Sequence, residues 1–496
     1  MTVTEKGILN FVNMLEHDYS VTEWTVSGIK VWPIIRLDIG EAFYANNAKA
    51  CIADARSNTC LKKTRKLICE IKNFLKIYFY DYKNNCEYND EDIICIIGNE
   101  SRWIRDGNLG WYSRTVEPIR SQLTKAGFSV FNLEYFNSSY FLNGEAARIP
   151  RNNKSKIVNM GIIKSIIMSK FQSVYDKNVY LPDYEVVSKL CLKRGINLES
   201  FDFIYLVQLL LATRDYYINI LRKGNPKLVV ITNWRNMKEM ALTMAAKKLG
   251  IPCIEVAHGY YGQDCFSHFG WKRQPQNGYE LRPDFYWCWT KKSAEYMNKE
   301  LIMGKAIAGY PPHVYAWRKY IKKNYIKEEK KLQKILPKNK KIVLVTLNNV
   351  ISREKYPNWL LDIVHNTKNN FFWLFRKHDN INYSGQDILC SEIDNLPNVE
   401  WEKSSLFPLM LLLENADIHV TYDSSTVIEA AVMGLHSIVL SEMSRDRFTE
   451  QFENGEVSFV KSYDEMMNIF VNYSDKTNKE LVNDHAIEEM ISIMKK

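Results

Sequence analysis

TYDSSTVIEAAVMGLHSIVLSE, residues 421–442, is the stretch on which the reading of this chain turns. A short apolar run ends at Val420, and Asp423, Ser424, Ser425 and Thr426 make a polar turn. A helix-like segment from Val427 to Met433 follows, closed by Gly434 before the β-rich HSIVL. The pattern predicts strand, loop, helix, strand. Hydroxyls just before a helix cap its first N–H groups, and any left over join those groups as an anion site suited to a phosphate. The same four residues also serve as an ordinary N-cap. Glu429, near the end of the first helical turn, is placed to reach a group bound at the helix mouth, or to face solvent as glutamates commonly do there.

Upstream lies more of the same alternation. KIVLVTLNN (341–349) reads as a strand ending in Thr346, Asn348 and Asn349, then a helix around 358–366 and the strand FFWLFRKHDN (371–380). Arg376, Lys377 and His378 fall at that strand's end, where donors suit a diphosphate; the alternative is a plain surface strand terminus. Val399 to Trp401 reads as an edge strand, Leu406 to Glu414 as a helix, and Met443 to Asn454 as a loop near the ligand. The C-terminal residues alternate helix with the short strand EVSFV (456–460).

The first half repeats the theme. DIICIIG (92–98) is the continuous apolar run of a buried parallel strand, and a helix at 116–125 and a strand at 128–133 complete a β-α-β start. Ligands sit at the carboxyl ends of such strands, which makes Arg102, Arg105 and Arg114 in the connecting loop acceptor-side candidates. A further unit comprises a helix at 203–221, the strand KLVVIT (227–232), a helix at 236–249 and the strand 253–257, ending at His258 and Gly259. A titratable imidazole at such a strand end, beside a glycine that admits close backbone approach, is a candidate general base; a hydrogen-bonded core histidine is the alternative. The Gly- and aromatic-rich segment 259–284 reads as a binding loop offering Tyr260, Tyr261, Asp264 and His268 to a polar substrate. FYWCWT (285–290) and KAIAGYPP (305–312) are two more strands, and a charged helix is expected from Val314 to Leu336.

At 496 residues the chain exceeds one core. The alternation implies an α/β protein of two doubly wound, Rossmann-like domains facing across a cleft. The boundaries are 1–312, with a helical N-terminal segment and a basic insertion at about 140–180, then 313–470, then a helical tail at 471–496. Arg36 in the N-terminal segment is expected in a structural ion pair. Hydrophobic content of 46% argues for a folded interior, and the net charge of +9 favours anionic partners. Zinc-finger spacing, an RNA-recognition signature and a long basic tail are all missing, so nucleic acid is not expected. Ten scattered cysteines without a C-x-x-C pair suit reduced thiols in a cytoplasmic protein. The N-terminus lacks the basic start and apolar core of a signal peptide, and no run reaches the roughly 18 apolar residues of a spanning helix. The basic amphipathic stretch 61–83, like the one at 148–170, suits either an anionic membrane surface or a solvated face packed on the core.

With IPCIEVAHGYYG (251–262), LRPDFYWCWT (281–290), AIAGYPP (306–312), WLFRKHDN (373–380) and TYDSSTVIEAAVMGLHSIVL (421–440) in this order, the chain resembles bacterial capsule and O-antigen glycosyltransferases of the GT-B type. These share a His-Gly loop with the CDP-glycerol glycerophosphotransferase-like enzymes of teichoic acid synthesis. The resemblance implies His258, beside Gly259, as the base, with Arg376 and His378 on the donor diphosphate, Ser424, Ser425 and Thr426 on phosphate oxygens, and Glu429 on the ribose. It further implies a nucleotide-sugar donor, a saccharide acceptor that is lipid-linked, peripheral contact with the inner face of the cell membrane, and no cofactor or bound metal. His378 is followed by Asp379 where related families have His-Pro, which leaves the donor class open. A CDP-polyol phosphate transferase, a UDP-sugar 2-epimerase and a non-catalytic polysaccharide-assembly subunit stand as alternatives.

Overall fold

The computed structural model describes residues 5–49, 90–97, 103–106, 110–135, 155–172, 178–200, 202–263, 265–348, 356–377, 384–472 and 484–495. Two parallel sheets organise them. The first has seven strands in the order Lys305–Ala308, Phe285–Cys288, Cys253–Val256, Leu228–Ile231, Ile93–Ile97, Val130–Glu134, Ser155–Ile157. The second has six, in the order Val399–Glu400, Phe371–Arg376, Lys341–Thr346, Ile418–Thr421, His436–Val439, Val457–Phe459. Residues 228–231 and 253–256 are buried throughout, which explains why the first is wholly apolar and the second apolar but for Glu255: helices cover both faces, so neither side of the strand meets water.

Both sheets start at an inner strand and grow first one way, then the other. The direction switches between Ile93–Ile97 and Leu228–Ile231 in the first, and between Lys341–Thr346 and Ile418–Thr421 in the second. At such a switch the connecting helices depart to opposite faces and leave a crevice at the strand carboxyl ends. Thr232 and the turn 422–426 occupy those two places.

Several expected elements differ, three of them away from the lobe junction. The segment 140–180 is not simply an insertion, because Ser155–Ile157 extends the first sheet beside Val130–Glu134 and Asn159–Gln172 forms a helix. That helix lies against Phe203–Gly224, with Ser165 Oγ donating to the Ala212 carbonyl at 2.7 Å. Basic surface residues had masked its apolar content. Within the expected loop at 102–114, Trp103–Asp106 and Gly110–Ser113 pair as an antiparallel hairpin. The expected helix from Val314 to Leu336 is broken into Pro312–Ala316, a wide π turn at Trp317–Ile321, a 3₁₀ turn at Lys322–Tyr325 and Ile326–Gln333. Trp317, Ile321 and Tyr325 are all buried in the second core. The wide π turn takes up the four-residue step from Trp317 to Ile321, which exceeds the 3.6 of a regular helix. The stretch 61–83 lies outside the described residues, and among those described no helix is long and apolar enough to cross a membrane. None of the six described cysteines forms a disulfide, and five of them are buried.

The helices Glu5–Asp18 and Trp32–Lys49 clamp the 259–284 segment through one buried ion pair. Arg36 Nε lies 3.1 Å from Glu16 Oε1, both side chains fully buried, and the guanidinium donates to the carbonyls of Phe269 and Gly270 at 3.0 and 3.1 Å. It also covers the Trp271 ring. Glu16 accepts in addition from Trp32 Nε1 and from the Lys272 N–H. Burial pulls the Arg36 guanidinium down to about 10, still charged at neutral pH. Arg36 is therefore the structural residue its sequence context suggested. Glu16→Ala leaves that charge buried without its partner. A loss of about 3–5 kcal/mol is expected in urea denaturation, and a loss below about 1 kcal/mol would contradict the assignment.

Candidate active site at the lobe junction

His258 follows the strand Cys253–Val256 at its carboxyl end, half-buried. Its Nδ1 lies 3.1 Å from the Thr232 carbonyl oxygen, the residue at the switch point of the first sheet. A carbonyl can only accept, so the neutral ring carries its proton on Nδ1 and its lone pair on Nε2. That is the tautomer a base needs if Nε2 faces the reacting group.

Behind the imidazole is a buried polar cluster. Glu255, fully buried, accepts through Oε1 from the Trp234 N–H at 3.1 Å and from the Tyr261 hydroxyl at 3.1 Å, and through Oε2 from His268 Nε2 at 3.1 Å. His268 is 1% exposed and Tyr261 4%, so neither offers itself to a substrate as the loop's composition had suggested. Aromatic density in a loop marks packing as readily as binding. Burial alone pushes the His268 imidazole down, but Glu255 and Cys265 outweigh it and the net shift is upward. Cys265 Sγ, 3.4 Å from His268 Nδ1, is drawn down by the imidazole against the effect of burial.

The second lobe meets this loop directly. The Tyr260 N–H donates to Ser425 Oγ at 3.1 Å, and the Tyr260 ring packs on Phe448 with centroids 5.5 Å apart. A Cβ on Gly259 would lie 3.4 Å from Ser425 Oγ, an ordinary contact, so sterics there do not demand glycine. The segment expected as a loop at 443–454 forms the short helices Ser444–Arg447 and Thr449–Glu453. The second of these receives Lys292 from the first lobe, whose backbone N–H reaches Glu450 and whose ammonium reaches Glu453. At this point of the junction the lobes touch.

Within the turn, Ser425 holds the N-cap position without a side-chain cap bond, while Ser424 Oγ accepts from the Thr426 N–H at 3.3 Å and lies 3.0 Å from Thr426 Oγ1. Asp423 is tied inward by Arg447 at 2.5 Å and by Ser444. Glu429 is buried and receives a hydrogen bond from His313 Nε2, a residue the sequence reading did not single out. Burial pushes the Glu429 carboxyl up, but the His313 ring and the Arg114 guanidinium outweigh it and hold Glu429 at about 2. His313 is pushed down by its own burial. Its neutral ring therefore donates Nε2–H and leaves Nδ1, which has no partner among the described residues, as a lone pair. Arg114 thus belongs to the junction, with a buried Nε that has no hydrogen-bond partner among the described residues. Arg376 ends Phe371–Arg376 beside Thr346, which neighbours Thr421, so it shares the sheet edge of the Ser-Ser-Thr turn two strands away. Arg102, Asp264 and His378 lie outside the described residues, and Arg105 is described only as part of its strand. A surface cavity of about 680 Å³, lined by Lys338, Lys340, Lys341, Asn366 and Asp417, lies at the opposite end of the second sheet and includes none of these residues.

Glu255 had a readable signal: a lone carboxylate inside the apolar strand CIEVA. His313 had little, since it follows two prolines and meets Glu429 across 116 residues.

No protein-family model matches the sequence, and no curated protein matches it. Among solved structures, the chain is similar to the UDP-GlcNAc 2-epimerase from Neisseria meningitidis bound to UDP-GlcNAc, with a TM-score of 0.52 and 14% identity, covering 81% of this chain and 99% of that one. It is also similar to the UDP-GlcNAc 2-epimerase from Methanocaldococcus jannaschii, with a TM-score of 0.50 and 12% identity over 81% and 99% of the two chains. At such identities the likeness concerns the fold, which is the two-lobed GT-B arrangement that the sequence predicts.

Next to the turn, His419 is fully buried between Thr346 Oγ1 and Ser437 Oγ, each at 2.8 Å, and burial holds its pKa at about 3 against an ordinary 6.5. A depressed histidine stabilises the fold fully above its unfolded pKa and loses that contribution as pH falls toward the folded value. Between pH 7 and pH 5 it accounts for roughly 2 kcal/mol of lost stability. Unfolding free energies from urea denaturation at the two pH values should converge by about that amount in His419→Gln, and an unchanged pH dependence would contradict it.

Proposed function

We propose that this protein is a glycosyltransferase that moves a sugar from a nucleotide-sugar donor to a growing bacterial surface polysaccharide, of capsule or O-antigen type. One observation carries the reading: the Tyr260 N–H contact to Ser425 Oγ brings the His-Gly loop of one lobe against the Ser-Ser-Thr turn of the other, at the carboxyl ends of both sheets. Fold similarity to the Neisseria meningitidis UDP-GlcNAc 2-epimerase bound to UDP-GlcNAc agrees with a nucleotide-sugar ligand. The sequence motifs supply the transferase and polysaccharide parts of the proposal.

In this mechanism His258 Nε2 takes the proton of an acceptor hydroxyl as the acceptor oxygen bonds to the anomeric carbon. The bond from that carbon to the donor phosphate breaks, and the nucleotide leaves with the electron pair. Ser424, Ser425, Thr426 and Arg376 stabilise the departing phosphate charge, with His378 assigned by the motif alone. Arg114, whose buried Nε lacks a partner among the described residues, adds a cation from the acceptor lobe. Glu429, already bonded to His313, holds the helix behind the turn and reaches the ribose only by a shift of that pair. The acceptor is proposed to be lipid-linked, with the protein working at the inner face of the membrane.

Fold similarity favours one second reading, a UDP-sugar 2-epimerase. Incubating UDP-, GDP- and CMP-sugars and CDP-glycerol with and without saccharide acceptor separates the readings. Acceptor-dependent nucleotide release supports transfer, conversion of a UDP-sugar alone supports epimerisation, and turnover of CDP-glycerol alone among the donors supports polyol phosphate transfer. His258→Ala should lower turnover by about 100- to 10,000-fold while the donor Kd stays within about twofold. Retained turnover would remove His258 from the mechanism. Replacing Ser425 and Thr426 together by alanine should weaken nucleotide binding by about tenfold in titration calorimetry, and an unchanged Kd would count against the phosphate turn.

A further inference from the structure

The Tyr261 hydroxyl stands between the imidazole and a buried carboxylate. Its oxygen lies 3.1 Å from Glu255 Oε1 and 3.3 Å from His258 Nδ1. A carboxylate oxygen accepts only, so Tyr261 donates its proton to Glu255 and turns an oxygen lone pair toward the Nδ1–H of His258. The tyrosine cannot swing away cheaply. It is buried, and its ring stacks on His268 with centroids 3.9 Å apart and planes at 28°. His268 in turn holds the other oxygen of Glu255. Strand, loop and both aromatic rings therefore fix one hydroxyl at one place.

Resting on the reading of His258 as general base, we infer that Tyr261 is its positioning residue, the hydroxyl tying the imidazole to Glu255 and keeping the ring proton on Nδ1. Thr232 and Tyr261 share that proton from two directions, so Nε2 meets the acceptor with its lone pair. As Nε2 takes up the acceptor proton, positive charge spreads over the ring. The hydrogen bond from Nδ1 then becomes charge-assisted, with the carboxylate one hydroxyl away. The charged and titratable groups around this chain are Cys265 and His268 from the same loop, Arg235 beyond Leu228–Ile231, and Arg282, Tyr286 and Cys288 from the neighbouring strand and its approach. The Tyr261 hydroxyl joins this cluster to the His258 imidazole.

Tyr261→Phe in the full chain keeps the stacked ring and removes only the bridge. The His258 Cε1–H resonance, identified by its loss in His258→Ala, reports the imidazole directly. Removing a hydrogen bond from the charged ring disfavours that form, so the titration should move to lower pH by about half a unit or more. The acid limb of kcat/KM should follow it downward. Turnover at the pH optimum should fall by about tenfold, with the nucleotide Kd within about twofold. A titration coincident with wild type overturns the inference even if turnover falls. If Tyr261→Phe does not fold, Glu255→Gln takes its place, since the carboxamide keeps an acceptor for the hydroxyl and removes the charge; the same downward shift is expected, and its absence is again decisive. A shift in a protein that turns over no donor supports the linkage while removing the transferase reading, so the two fail separately.

Discussion

When two lobes close on each other, every backbone N–H that loses water at the junction needs an acceptor, because an orphaned donor costs as much as several apolar contacts return. Tyr260 finds its acceptor in Ser425 Oγ. That bond joins the loop that carries His258 to the turn that heads the helix Thr426–Val432, and it sets the distance between the two halves of the candidate site. Around it the apolar surfaces run together: Val427, Ile428, Val439, Phe448 and Val457 of the second lobe belong to the same buried cluster as the core of the first.

Three buried carboxylates hold this arrangement, each matched by a cationic or imidazole group. Glu16 meets Arg36, Glu255 meets His268, and Glu429 meets His313. Such pairs add little net stability over apolar packing, since desolvation offsets most of their attraction, but a misplaced partner is heavily penalised. Two of them secure one loop: Arg36 grips the carbonyls of Phe269 and Gly270, and Glu255 grips His268 and Tyr261. The loop is thereby fixed from the helical N-terminal segment on one side and from its own strand on the other, and His258 lies where those constraints meet.

Much of the fold is legible in the sequence because a strand covered on both faces needs a mostly apolar run: 93–97 and 228–231 are wholly apolar, and 253–256 and 418–421 are broken only by Glu255, His419 and Thr421. The turn at 424–426 is legible from its hydroxyls. Long-range pairing is less so. Nothing local tells that Glu429 turns inward to His313, or that His268 serves Glu255 instead of a ligand, because the partner's approach is a property of the packed lobes. The hairpin at 103–113 and the edge strand Ser155–Ile157 were hidden for a different reason: an edge strand or a two-stranded ribbon buries one face at most, so its sequence need not be uniformly apolar.

The chain passes between the lobes twice. It leaves the first sheet after Ala308 and enters the second core at Val314, and its last helix, Asp484–Ile493, lies back on the first lobe. There Ala486, Ile487, Met490 and Ile493 join the first core, and Glu489 pairs with Lys305 at 2.7 Å. Two crossings at separate places leave rotation about the line through them as the least hindered relative movement of the halves.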